Sequence, residues 1–289
     1  MPKTAKTIVI LGTTASGKTP LAIALAKKYR GEIICVDSRT IYKGMDIGTA
    51  KPSISGQREV RHHLLDIVDP NISFSVVEFK TLCLKTMAEI SKRGNIPILV
   101  GGSGMYIDAI LYDYQFRKAQ SNLDITNLST MQKVEMAEKL YPRDMLRIGT
   151  KNIRRIDQLL LLGPANVDDR ESIKIDCKII GLKVKPPLLK QNIAIRTSQM
   201  LDNRFIQEVE SIRNNYGLDC KALATIGYQQ VGNYLDNKIS KQELSRNINK
   251  ATSDLAKKQL TWFKRNKHII WVENFSEADK VCSEYLNVI

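Results

Sequence analysis

The sequence predicts an α/β fold with a parallel sheet flanked by helices, and three observations carry that expectation. The runs "TIVIL" (7–11), "EIICV" (32–36) and "IPILV" (96–100) are apolar almost throughout, as strands buried on both faces must be. Stretches whose apolar residues recur at helical spacing lie between them. Glycine-bearing turns separate the two kinds of segment, so that strand and helix alternate along the chain.

Taken in order, Thr7 to Leu11 reads as the first strand and Lys18 to Lys28 as the first helix, with Pro20 tolerated in the first helical turn. The run "EIICVD" ends on Asp37. Ser75 and Glu78 form a capping box for a helix whose apolar face is Val76, Phe79, Leu82, Cys83, Met87 and Ile90. "IPILVGG" supplies another strand and "SGMYIDAIL" a further helix. From Gln115 to Lys151 the sequence is polar around the helical stretch "STMQKVEMAEKLY", which suggests a small helical insertion. Sheet-like sequence returns in "CKIIGLKV" and "HIIWVE". One helix is expected around Lys190 to Asn215 and a long one from Ser240 to Arg265, opened by a second capping box, Ser240 with Glu243. The expected division is therefore a first core part over 1–114, a reduced insertion over 115–151, and the remaining core with basic C-terminal helices over 152–289.

A formal charge of +14 points to a polyanionic partner, because clustered Lys and Arg gain affinity by releasing counterions from phosphates. The 43% hydrophobic content supports a packed interior. The cysteines, Cys35, Cys83, Cys177, Cys220 and Cys282, are scattered without a CxxC pair, which argues for free thiols in a reducing cytoplasm. No apolar stretch approaches the roughly 20 residues that span a bilayer, so a soluble protein is expected.

The chemistry begins at Gly12, Thr13, Thr14, Ala15, Ser16, Gly17, Lys18 and Thr19, "GTTASGKT". GxxxxGK[ST] between a buried strand and a helix is a phosphate cradle and makes the sheet P-loop NTPase-like. Its amides face an oxyanion, Lys18 adds charge, and the Thr19 hydroxyl can ligate magnesium. A nucleotide hydrolase would usually add an acid closing another core strand. "IPILV" ends instead on Gly101-Gly102-Ser103-Gly104, and Asp37 is the acid that closes a strand. Such an acid suits a general base acting near the phosphates, or equally a turn residue.

The segment "DSRTIYKGMDIGTAKP", Asp37 to Pro52, resembles the tRNA dimethylallyltransferases (tRNA isopentenyltransferases). The likeness continues in "HHLLDIVDP" (62–70), "FSVVEF" (74–79), "GGSGMY" (101–106), "IGYQQVGNYL" (226–235) and "TSDLAKKQLTWFKR" (252–265). The resemblance implies that the cradle holds the diphosphate of dimethylallyl diphosphate. It also implies that Asp37 takes a proton from an adenine amine next to the anticodon, and that Ser103 orients that amine. The implied contacts to the tRNA anticodon stem-loop are Ser38, Arg39, Thr40, Arg154, Arg155, Gln158, Lys257 and Lys258. Thr40 stands where the family pattern has glutamine and Ser253 where it has arginine. Trp262 and Phe263 fit core packing better than base stacking, and adjacent His62 and His63 fit a structural role better than metal binding.

Rival readings are a small-molecule kinase using the cradle for ATP, an adenylate isopentenyltransferase, and a tRNA-binding remnant without catalysis. The double-glycine segment and basic C-terminal helix speak against the first, and the charge against the second.

Overall fold

A computed structural model describes residues 6–114, 123–163 and 172–287. The chain divides into two compact units, one formed by Met1–Leu111 with Lys174–Ile289 and the other by Tyr112–Ile173.

The larger unit begins with β1 (Thr7–Gly12), α1 (Lys18–Tyr29) and β2 (Gly31–Val36), followed by the short α2 (Ile54–Glu59) and β3 (His62–His63). Next come α3 (Val76–Lys92), β4 (Ile96–Gly101) and α4 (Gly104–Leu111). The strands form one six-stranded sheet in the order β3-β2-β4-β1-β5-β6, where β5 is Cys177–Leu182 and β6 is Ile270–Val272. Every pairing is parallel, as expected from strands apolar through their length. Alternate residues Ile8, Ile10, Ile33, Cys35, Ile98 and Val100 pack in one core with Leu21, Leu25 and Tyr29 of α1. The intervening Val9, Leu11, Ile34 and Leu99 are equally buried, so both sheet faces are covered. The carboxyl ends of neighbouring strands β2, β4 and β1 thereby bring Asp37, Gly102 and the cradle to one edge, where ligands of open parallel sheets bind.

The expected helix from Lys190 to Asn215 is two. Pro186–Asp202 and Phe205–Tyr216 are separated at Arg204, whose φ of 65° is left-handed and breaks the helical ladder. Both predicted capping boxes are present, Ser75 with Glu78 and Ser240 with Glu243. The unit closes with a 3-10 turn (Lys221–Ala224) and the helices Tyr228–Leu235, Lys241–Phe263 and Phe275–Leu286.

The smaller unit holds α5 (Thr130–Leu140), α6 (Pro142–Ile148) and α7 (Ile153–Leu162); the helices after it in the larger unit are thus α8 (Pro186–Asp202), α9 (Phe205–Tyr216), α10 (Tyr228–Leu235), α11 (Lys241–Phe263) and α12 (Phe275–Leu286). The expected far edge of the insertion is 151, whereas the unit extends to Ile173. The reason is packing: Ile156, Leu159 and Leu160 of α7 bury against Ala137 and Met145 in the insertion's own core. The expected start at Gln115 lies outside the described residues.

Candidate active site

The cradle runs from Gly12, the last residue of β1, to Lys18 and Thr19, the first of α1. Ala15 (φ 59°) and Gly17 (φ 89°) are left-handed, the kind of turn that directs successive backbone amides toward an anion. Ser16 N–H donates to Thr13 O at 3.3 Å and closes the loop. Lys18 Nζ donates to Thr13 O at 2.5 Å, holding the ammonium over the cradle. Two later helices brace the same loop. From α8, Asn192 donates to Ala15 O at 3.1 Å and Arg196 Nη1 to Thr14 Oγ1 at 3.2 Å. From α11, Gln259 Oε1 accepts from Thr14 N–H at 2.7 Å.

Lys18, Thr19, Asp37, Thr40, His62 and Arg196 line one recess at this edge of the sheet. Burial pulls the Lys18 ammonium down to about 8, with Asp37 opposing and Arg196 reinforcing the shift. Burial likewise lowers Arg196, with Asp37 opposing. Paired cations disfavoured by desolvation in this way gain from a bound polyanion. Burial also pushes the Cys35 thiol up to about 12, so that it is an inert part of the wall. Thr40 Oγ1 and His62 Nε2 are buried and have no hydrogen-bond partner among the described residues, a situation a polar ligand would relieve.

A second recess shares Asp37, Gly102 and Gln259 with the first, and adds Arg39, Ser103, Tyr106, Lys258 and Trp262. Asp37 Oδ1 accepts from Arg39 N–H at 2.8 Å, so the acid is a turn residue as well as part of both walls. Ser103 Oγ accepts from Ser38 N–H at 3.2 Å, which leaves its own proton to donate. Gly101 is obligatory here, because a Cβ would collide with the backbone oxygen of Val36.

The expected tRNA contacts separate. Ser38, Arg39 and Lys258 line the second recess, whereas Thr40 is buried and lines the first. Lys257 is exposed and paired with Asp254 at 3.3 Å. Arg154, Arg155 and Gln158 are exposed on α7, in the smaller unit. Ser253 turns its hydroxyl back to Asn249 O at 2.7 Å. Phe263 is core, while Trp262 is half-buried and donates from Nε1 to Asp108 at 2.8 Å. His62 Nδ1 bonds Val60 O at 2.7 Å and His63 Nε2 bonds Glu32 at 2.6 Å, so the protein itself holds both rings. No sequence motif assigns a role to Arg196, Asn192 or Gln259. A usable signal existed: each lies on its helix's buried stripe, Arg196 beside Ile193 and Thr197, Gln259 between Ala256 and Phe263.

A model of the IPP transferase family matches residues 40–266. The tRNA dimethylallyltransferase of Geobacillus kaustophilus is 38% identical over 284 residues, spanning 93% of this chain and 90% of that protein. Its counterpart from Anoxybacillus flavithermus is 35% identical, with the same 93% and 90% spans. Among solved structures, the full-length tRNA isopentenylpyrophosphate transferase of Bacillus halodurans is 30% identical with a TM-score of 0.75, covering 98% of this chain and 95% of that one. Crystallographic snapshots of a eukaryotic dimethylallyltransferase acting on tRNA share the fold, with a TM-score of 0.84 at 24% identity and coverage of 98% and 78%. By the family match and these relatives, the chain belongs to the IPP transferase family.

Proposed function

We propose that this chain is a tRNA prenyltransferase that moves a dimethylallyl group from dimethylallyl diphosphate to the exocyclic amine of the adenosine 3′ to the anticodon. The observation that carries this reading is that Asp37 belongs to the walls of two recesses, one bearing the phosphate cradle and the other bearing Ser103 and exposed basic residues. In the step, the bond between the donor's first prenyl carbon and the diphosphate oxygen breaks and that carbon bonds to the amine nitrogen. The nitrogen's proton passes to the Asp37 carboxylate. Lys18, Arg196 and the cradle amides stabilise charge gathering on the departing diphosphate. Ser103 orients the amine.

The loop base is accessible to such a site because an unstacked single-stranded base leaves its neighbours at modest cost. Arg39 and Lys258 are suited to its flanking phosphates, and the relatives' names, tRNA dimethylallyltransferase, supply the acceptor. The residues fit magnesium through the Thr19 hydroxyl in the recess that Asp37 also lines. That ion commonly takes one or two protein oxygens together with substrate phosphates and water, and it would supply charge neutralisation. No cluster of three or more His, Cys, Asp or Glu suited to a metal occurs among the described residues.

The test is tRNA retention by protein saturated with dimethylallyl thiodiphosphate, a slow donor mimic, against protein saturated with ATP. Tighter retention with the thiodiphosphate is expected; equal retention, or retention favoured by ATP, would point to a kinase or a binding remnant.

A further inference from the structure

We propose that Gln259 is a positioning residue that locks the phosphate cradle to the Gly102-Ser103 loop and so fixes the wall shared by both recesses. This rests on the prenyl-transfer reading above and concerns how its two halves are held in register.

Pairing between β1 and β4 stops at Leu11 opposite Gly101. Beyond that point the two chains diverge, one into the cradle and the other into the loop with Ser103. Gln259 takes over where the ladder ends. Its Oε1 accepts from Thr14 N–H at 2.7 Å and its Nε2 donates to Gly102 O at 3.0 Å. Backbone N–H can only donate and C=O only accept, so one primary amide satisfies both sides; a carboxylate or a thioether cannot. The fit is close, since a Cβ on Gly102 would collide with Gln259 Nε2. Buried Ala256 and Phe263 fix the α11 face from which the side chain emerges. The bond also commits the Thr14 amide to protein, while Thr14 Oγ1 receives Arg196.

A small drift of the cradle against the loop would misalign the donor carbon with the amine that Asp37 deprotonates. Misplacement of this kind lowers turnover by about a hundredfold per ångström or so without abolishing binding.

The experiment compares Gln259→Met, Gln259→Glu and Gly102→Ala with wild type. Single-turnover rate, donor KM, tRNA Kd and Tm are measured for each. Gln259→Met and Gln259→Glu should lower the rate by about ten- to a hundredfold while donor KM and tRNA Kd move by less than about threefold. Gly102→Ala should show the same split, because its Cβ displaces the amide. In a Gln259→Ala background, which makes room for that Cβ, Gly102→Ala should cost nothing more.

Unchanged rates, loss confined to KM or Kd, or additive effects of Gly102→Ala and Gln259→Ala would overturn the proposal, as would a fall in Tm with the rate per folded molecule intact. If wild type transfers no prenyl group, the functional reading fails instead. Amide exchange then decides the strut alone: Thr14 N–H should be protected in wild type and exposed in Gln259→Met, and equal exchange would refute it.

Discussion

Arg196 Nη1 donates to Thr14 Oγ1 at 3.2 Å, which sets a guanidinium from α8 against a cradle more than a hundred and eighty positions earlier in the chain. Its Nη2 lies 3.5 Å from Thr49 O, so the same side chain also touches the loop that follows Asp37. Arg196→Lys keeps the charge but loses the fork. It should raise donor KM by about tenfold and Arg196→Ala by about a hundredfold, as charge-assisted hydrogen bonds of roughly 1.5–3 kcal/mol imply. Steady-state kinetics at saturating tRNA reads both.

Lys18 gives a pH dependence whose sign follows from burial. Its pKa falls to about 8, below that of an exposed lysine, so the free protein loses the ammonium as pH rises through 8. Affinity for the diphosphate should decline over that window. The unfolded chain holds this proton to higher pH, so stability of the free protein should rise from pH 8 toward the ordinary lysine range. Lys18→Met should therefore stabilise the free protein by about 1–3 kcal/mol at neutral pH while removing donor binding. Titrating donor affinity and Tm from pH 6.5 to 9.5 checks both halves.

Glu208 holds the loop after Asp37 from beneath. Its carboxylate accepts from the backbone N–H groups of Asp46, Ile47 and Gly48 at 2.9, 2.7 and 3.1 Å, and from Tyr228 O–H at 2.5 Å. Glu208→Gln replaces an acceptor with a donor facing donors. It should cost about 2–4 kcal/mol of stability by denaturant unfolding, and Tyr228→Phe should cost less.

Thr40 is 6% exposed and lines the cradle recess. Thr40→Gln restores the amide of the family pattern and extends it into that recess. Turnover on tRNA should rise by about three- to tenfold, the scale of one hydrogen bond of roughly 1 kcal/mol. No change would mean that the buried Thr40 hydroxyl already serves the substrate.

Local chemistry made much of this legible. The cradle announces itself because its geometry needs glycines and a lysine at fixed spacing, and Asp37 stands out as the acid closing an apolar strand. The long capped helices were equally plain, since Ser75 with Glu78 and Ser240 with Glu243 state their own starting points. Arg196 and Gln259 are legible only as polar breaks in the apolar stripes of their helices; that each meets the cradle follows from the folding of helices distant in sequence. The far edge of the insertion depends on tertiary packing in the same way. The apolar stripe of α7 is visible, but whether it joins the sheet or the helices before it depends on tertiary packing. The break at Arg204 had no glycine or proline to mark it.

If Asp37 serves transfer from the cradle to tRNA, radiolabel passes from dimethylallyl diphosphate to unmodified tRNA in a reaction that depends on it. Free AMP is the parallel acceptor and Asp37→Ala the control. Label should enter tRNA, not AMP, and Asp37→Ala should lower the rate by about a hundredfold or more with tRNA affinity nearly intact. Label in neither acceptor, from folded protein that binds tRNA, would contradict catalysis; equal loss of rate and tRNA binding in Asp37→Ala would contradict its role as base.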